Sequence, residues 1–134
     1  MILSDTTFLI DLQRSSRNIR HQAAANWLAK NAEIEIGIPV VVHGEFAEGF
    51  DDWENPLIEH IRSAHQIIVI DERVAMIYGQ ISRTLRMQGN AIGSNDTWIA
   101  ATGLALRTPL LTRNIEHFKR VEGLQIEAYG VESS

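Results

Sequence analysis

Gln66-Ile67-Ile68-Val69-Ile70-Asp71-Glu72-Arg73-Val74-Ala75-Met76-Ile77-Tyr78-Gly79-Gln80-Ile81 changes its hydrophobic period part-way along. From Gln66 to Ile70 it is β-branched and nearly all apolar, the pattern of a strand buried on both faces. That run ends at Asp71, whose short carboxylate suits a helix N-cap. From Val74 the apolar residues return at three and four, through Ile77, Tyr78, Ile81 and Leu85, and this helical stripe runs to Gly89. A buried strand feeding a capped helix is one unit of an α/β fold, so the flanking sequence should repeat it.

Upstream it does. Glu35-Ile36-Gly37-Ile38 reads as a strand, with Pro39 where a following helix would begin. Val40 to Asp52 reads as helical despite its valines, and Pro56 opens a further helix with Leu57, Ile58, Ile61 and Ala64 on one face. At the start, Ile2-Leu3, Ser4-Asp5-Thr6-Thr7 and Phe8-Leu9-Ile10 with Leu12 describe a buried strand running straight into a helix. Ile19, Ala23 and Trp27, with Ala24 and Leu28, mark the next helical face. Downstream, a loop over 89–94 leads to a helix that begins near Asn95-Asp96 and contains Trp98 to Ala101 and Leu104. Pro109-Leu110-Leu111-Thr112 is a fourth strand, Asn114 to Phe118 a short helix or turn, and Leu124 to Tyr129 alternates like an edge strand. Strands alternating with helices predict a mainly parallel sheet of four or five strands covered on both faces. At 134 residues the chain reads as one domain, 1–134, without linker or repeat.

Composition narrows the chemistry. Hydrophobic residues make up 45% and charged residues 22%, ordinary values for a globular protein, and no cysteine is present. Disulfides, thiolate zinc sites and cysteine nucleophiles are therefore excluded, and any metal must be held by oxygen or imidazole. No leader-like N-terminus and no apolar run long enough for a membrane span is found, so a cytoplasmic location without membrane association is expected. The net charge of −5 argues against an extended basic surface. The acidity is uneven: residues 1–60 carry ten acids against four bases, residues 61–134 seven against eight. Ten of the twelve cations are arginine, the better bidentate phosphate ligand.

In open parallel sheets the functional groups collect beyond the carboxyl ends of the strands. Asp5 and Asp96 stand at strand-end or helix-start positions, where capping is the competing account of each. Glu45 lies in an apolar helical segment and needs a partner if buried, although Glu48, one turn away, could be the inward residue instead. Asn114 and Glu116 lie beyond the fourth strand. Carboxylates converging from distant parts of a chain repel one another, and a divalent cation is the usual means of keeping them ionised together. Hard oxygen donors select Mg²⁺ or Mn²⁺. Metal-assisted phosphodiester hydrolysis is the chemistry such a group supports.

Ser4-Asp5-Thr6-Thr7-Phe8-Leu9-Ile10-Asp11 resembles the opening Asp-Thr/Ser motif of PIN domains, with Glu45 where their helix-borne glutamate falls. Asn95-Asp96-Thr97-Trp98-Ile99-Ala100-Ala101 resembles their third motif. Leu110-Leu111-Thr112-Arg113-Asn114 with His117-Phe118 and Gly123-Leu124 is similar to the ending of VapC-like toxins. The four blocks span nearly the whole chain in order. The resemblance implies a PIN-like three-layer α/β/α fold, Mg²⁺- or Mn²⁺-dependent endoribonuclease activity and a toxin homodimer inhibited by a cognate VapB-like antitoxin. It implies a site of Asp5, Glu45, Asp96 and Asn114, the three acids holding metal. Several family members have a fourth acid where this chain has Asn114, which puts a second metal position in doubt. Glu116, two residues on, is the candidate substitute. Thr6, Thr112, Arg113 and Glu116 are candidates to hold water or substrate phosphate beside the metal. Two alternatives remain at this stage: a carboxylate-metal phosphatase or nuclease acting on DNA, and a catalytically weak PIN domain serving as a binding module. The five histidines show no zinc spacing. Trp27 and Trp98 read as core, Trp53 among acids as an interface residue.

Overall fold

The computed structural model describes residues 1–14 and 19–130; residues 131–134, included above in the domain, lie outside the described residues. Five strands form the central sheet: β1 (Ile2–Ser4), β2 (Ile36–Pro39), β3 (Gln66–Ile68), β4 (Leu110–Thr112) and β5 (Ile126–Ala128). Seven helices are described: α1 (Thr6–Gln13), α2 (Ile19–Lys30), α3 (Val40–Glu48), α4 (Pro56–Ala64), α5 (Glu72–Met87), α6 (Ser94–Leu106) and α7 (Ile115–Phe118). Every strand pairing is parallel and the order is β3-β2-β1-β4-β5. This is the PIN-like α/β/α arrangement that the alternating pattern and the motifs predict.

The strand order places the chemistry. From β1 the chain steps outward through β2 to β3, then returns to the other side of β1 for β4 and β5. The reversal falls between β1 and β4, and at such a point the loops leaving the two strands diverge and open a crevice. Register brings Ser4 opposite Leu111, and the Asp5 amide donates to the Leu111 carbonyl at 3.3 Å. Asp5 and Thr112 thus leave the sheet side by side.

Central strands are apolar because both faces are covered. Leu3, Ile38, Leu110 and Leu111 are wholly buried, and burial of such side chains contributes about 1.5–3 kcal/mol each. At Gly37 a side chain would be crowded, since a Cβ would lie 2.9 Å from Met1 Sδ and 3.0 Å from Leu3 Cδ2, and those side-chain ends would have to shift. The stripe on α5 buries Val74, Ile81 and Leu85, with Ile77 and Tyr78 packed at its margin. Asp71 caps this helix, its Oδ1 accepting from the Val74 amide at 2.9 Å.

Two of the boundaries that differ from the expected ones have a visible cause. The third strand ends at Ile68, and Val69 is 67% exposed. Its neighbour β2 ends at Pro39, which lacks an N–H, and α3 starts at the next residue, so nothing remains for Val69 and Ile70 to pair with. Likewise α3 stops at Glu48 instead of continuing to Asp52. Beyond Gly49 short side chains compete for the backbone: Asp52 Oδ1 accepts from the Glu54 amide and Asn55 Oδ1 from the Leu57 amide.

Candidate active site

Asp5 is both a cap and a candidate site residue. It is the N-cap of α1, its Oδ1 accepting from the Phe8 amide at 2.8 Å, while Oδ2 accepts from the Thr112 hydroxyl at 2.5 Å. Thr112 is wholly buried and accepts in turn from the Asn114 amide at 2.9 Å, so a chain of hydrogen bonds joins the exits of β4 and β1. Only 3% of Asp5 is exposed. Burial, and to a lesser extent the charges of Asp96 and Asp11, outweighs the two hydrogen bonds and raises its carboxyl from the ordinary 3.8 to about 6.

Glu45 and Asp96 are each held by one partner. On α3 Glu45 is half-buried and its Oε1 accepts from the Thr6 hydroxyl at 2.7 Å, whereas Glu48 faces solvent. This makes Glu45 the inward carboxylate of the pair. Asp96 sits in the first turn of α6, behind Gly93, whose φ of 92° is a conformation that glycine adopts freely. Its Oδ2 lies 3.0 Å from Nδ1 of His117. The same nitrogen lies 3.1 Å from the amide nitrogen of Asn114. Asn114 is the N-cap of α7 but makes no side-chain capping bond, which leaves its amide group for His117.

The three acids offer hard carboxylate oxygens, and Asp5 feels the charge of Asp96; donors of this kind suit Mg²⁺ or Mn²⁺ among metal ions. Among the described residues the acids are not drawn close enough to form a ready metal-binding group, and Glu45 joins Asp5 through its neighbour Thr6. Of the remaining candidates, Glu116 is not gathered with them. It is turned to solvent and paired with Lys119 at 2.8 Å. Arg113 is committed to a different partner: its Nε donates to Asp11 Oδ2 at 2.7 Å, and the Tyr129 hydroxyl donates to the same oxygen at 2.8 Å. Asp11 is 1% exposed, and the hydrogen bond to it, helped by its negative charge, holds the Arg113 guanidinium above its ordinary value. Burial first, then the nearby carboxylates, keeps the Tyr129 phenol protonated as a donor.

Sequence reading missed two groups here. His117 was grouped with the other histidines, although its position three residues after Asn114 puts both on one helical turn. Asp11 stood within the quoted first motif with no role. His43, two residues before Glu45, does not join the site, and its buried Nδ1 has no partner among the described residues. Trp27 is core, edge-on to Phe8, and Trp98 stacks on Tyr78 at 3.8 Å between ring centroids. Trp53 is 80% exposed.

Comparison with known proteins decides the family. The PIN domain model matches residues 2–124. The chain belongs to the PIN-domain family. This PIN domain is similar to Ribonuclease VapC19 of Mycobacterium tuberculosis, 33% identical over 127 residues covering 93% of this chain and 98% of the relative. It is also similar to Ribonuclease VapC1 of Haemophilus influenzae, 28% identical over 123 residues covering 90% and 92%. Among solved structures it resembles VapBC2 from Rickettsia felis bound to a promoter DNA fragment, with a TM-score of 0.81, 26% identity and coverage of 96% and 99%. A VapBC-1 structure from nontypeable Haemophilus influenzae gives 0.77 at 26% identity, covering 96% and 98%. The four motifs quoted from the sequence thus belong to a VapC-like PIN domain. No helix among the described residues is long and apolar enough to cross a membrane.

Proposed function

We propose that this chain is an endoribonuclease, the toxin of a VapBC-type pair, and that it hydrolyses RNA phosphodiester bonds with Mg²⁺ or Mn²⁺ held by Asp5, Glu45 and Asp96. The observation that carries the reading is Asp5, almost wholly buried at the point where the strand order reverses, its carboxyl raised to about 6 partly by Asp96. A carboxylate placed so at a strand end is under-compensated, and a cation supplies the missing charge. When bound, such an ion lowers the pKa of water and offsets negative charge on the phosphoryl group.

The chain's own residues set the geometry. Thr112 fixes one oxygen of Asp5 and the Phe8 amide the other, Thr6 orients Glu45, and His117 orients Asp96. Each carboxylate is thereby restrained by a hydrogen-bonding neighbour, which lowers the cost of ordering the site when ligands arrive. The relatives' names support RNA as the substrate, and the VapBC complexes support a VapB-like antitoxin as the partner. We extend the reading to a homodimer, as expected from the family resemblance.

Incubating the protein with total RNA in Mg²⁺ or Mn²⁺, and separately with EDTA, tests the function. Cleavage is expected only with the ion, and Asp5→Asn, Glu45→Gln and Asp96→Asn are each expected to lose at least about a hundredfold. Undiminished cleavage in EDTA would reject the metal. Cleavage of DNA in preference to RNA would reject the substrate class. Binding of RNA without any cleavage would favour a binding module instead.

A further inference from the structure

We propose that His117 fixes the orientation of the Asn114 side chain so that the amide nitrogen, and not the oxygen, is left free for a ligand. Asn114 then serves as a donor to a phosphate oxygen of the nucleic-acid strand and not as a replacement for the family's fourth acid. The phosphate role rests on the phosphodiesterase reading above; the orientation does not.

One ring nitrogen has two neighbours. His117 Nδ1 lies 3.0 Å from Asp96 Oδ2 and 3.1 Å from the position given to the Asn114 amide nitrogen. In the ring plane an imidazole nitrogen offers either one proton or one lone pair. A lone pair on Nδ1 would face a carboxylate oxygen at 3.0 Å, acceptor against acceptor. A proton there instead makes a charge-assisted bond to Asp96. The conclusion is the same for a neutral ring and a cationic one, since Nδ1 carries hydrogen in both.

A protonated Nδ1 cannot accept from Asn114. An NH₂ group at 3.1 Å from it would set two donors head to head. Turning the amide over exchanges nitrogen and oxygen within the same volume, and Oδ1 then shares the Nδ1 proton with Asp96. The NH₂ takes the other position, which has no hydrogen-bond partner among the described residues. Such a group cannot ligate a cation but has two protons to donate. The main chain of Asn114 is already fixed to Thr112, which holds Asp5, and its side chain shares His117 with Asp96, so the donor belongs to the same hydrogen-bonded group as both candidate carboxylates. An anionic phosphate oxygen is the acceptor that a nucleic-acid strand brings to that place. His117 acts here as a positioning residue, through Asn114 and Asp96.

The orientation is tested on the metal-free full-length chain by long-range proton–nitrogen correlation of the His117 ring. Protonation at Nδ1 is expected; a ring protonated at Nε2 alone overturns the proposal. The ligand role is tested by binding of Mn²⁺ and, separately, of a short mixed-sequence RNA in Ca²⁺. Asn114→Ala is expected to keep Mn²⁺ affinity within about twofold while weakening RNA binding about tenfold, the loss of a hydrogen bond to a charged group. His117→Leu should weaken RNA binding similarly, and His117→Asn, which retains a donor in place of Nδ1, should restore it. A tenfold loss of Mn²⁺ affinity in Asn114→Ala with RNA binding unchanged makes Asn114 a metal ligand and overturns the proposal, as does a His117→Leu protein that binds RNA like the original. Failure of the original protein to cleave RNA in Mg²⁺ would reject the functional reading alone, since the ring protonation and the Mn²⁺ titration still report on the orientation.

Discussion

A carboxylate that caps a helix is usually stabilising, yet Asp5 is placed where its charge is a burden. Its folded value of about 6 against 3.8 means that the native state holds the proton more tightly than the unfolded chain. Its contribution to metal-free stability is present below about pH 4, is lost as pH rises through about 6, and amounts to about 3 kcal/mol across that window. Asn is as good an N-cap as Asp and carries no charge. Asp5→Asn is therefore expected to unfold at higher denaturant than the original protein at pH 7, with the difference closing near pH 4, while activity is lost. Equal denaturation midpoints at both pH values would show that the buried charge is already compensated in the apo protein. As candidates, Asp5, Glu45 and Asp96 were legible in the sequence because the motifs and the apolar setting of Glu45 point to them. His117 and Asp11 were not, because their partners come from 21 and 102 residues away, Asp96 and Arg113, and no local pattern encodes such a meeting.

At the scale of elements, periodicity carried most of the information. The β-branched run before Asp71 and the stripe after it gave β3 and α5 from side-chain spacing alone. Strand ends were illegible because they depend on the neighbour, as Pro39 shows for Ile68. Glycines divide by the same logic. Gly103, in α6, has Leu124 Cδ1 at 2.8 Å and the Thr108 carbonyl at 3.3 Å from where a Cβ would stand, whereas Gly79, in α5, meets nothing within 4 Å. Gly103→Ala is expected to cost about 1–3 kcal/mol by overpacking. Gly79→Ala should gain about 0.5–1 kcal/mol from helix propensity. Urea unfolding measures both, and a stabilised Gly103→Ala would mean that α6 is free to move off the segments that lead into β4 and β5.

On the scale of the whole molecule, the strand order could not be read from the sequence, since period and composition do not say which strands are neighbours. A parallel sheet was legible; that β1 would be its centre was not. The charge distribution leads to a prediction about the proposed antitoxin. Residues 1–60 carry the acid excess, and Trp53, largely exposed between Asp52 and Glu54, offers an apolar anchor there, while Phe50 is engaged with Phe46. An antitoxin arginine placed near Asp5 and Asp96 would supply the charge otherwise given by the ion, so the two should compete. Raising Mg²⁺ is expected to weaken the complex several-fold, and Trp53→Ala to weaken it without altering Mg²⁺ affinity. An affinity indifferent to both would remove this face from the interface.

The tie between Asp5 and Thr112 spans 107 positions of chain, and β1 gains its neighbour β4 only at Leu110. A polypeptide emerging from the ribosome presents Asp5 first and must wait for nearly all of its length before Thr112 arrives to hold it. The tie is therefore absent for most of synthesis: topology acts as a timer, and the hydrogen bond between Asp5 and Thr112 closes only once β4 has been made.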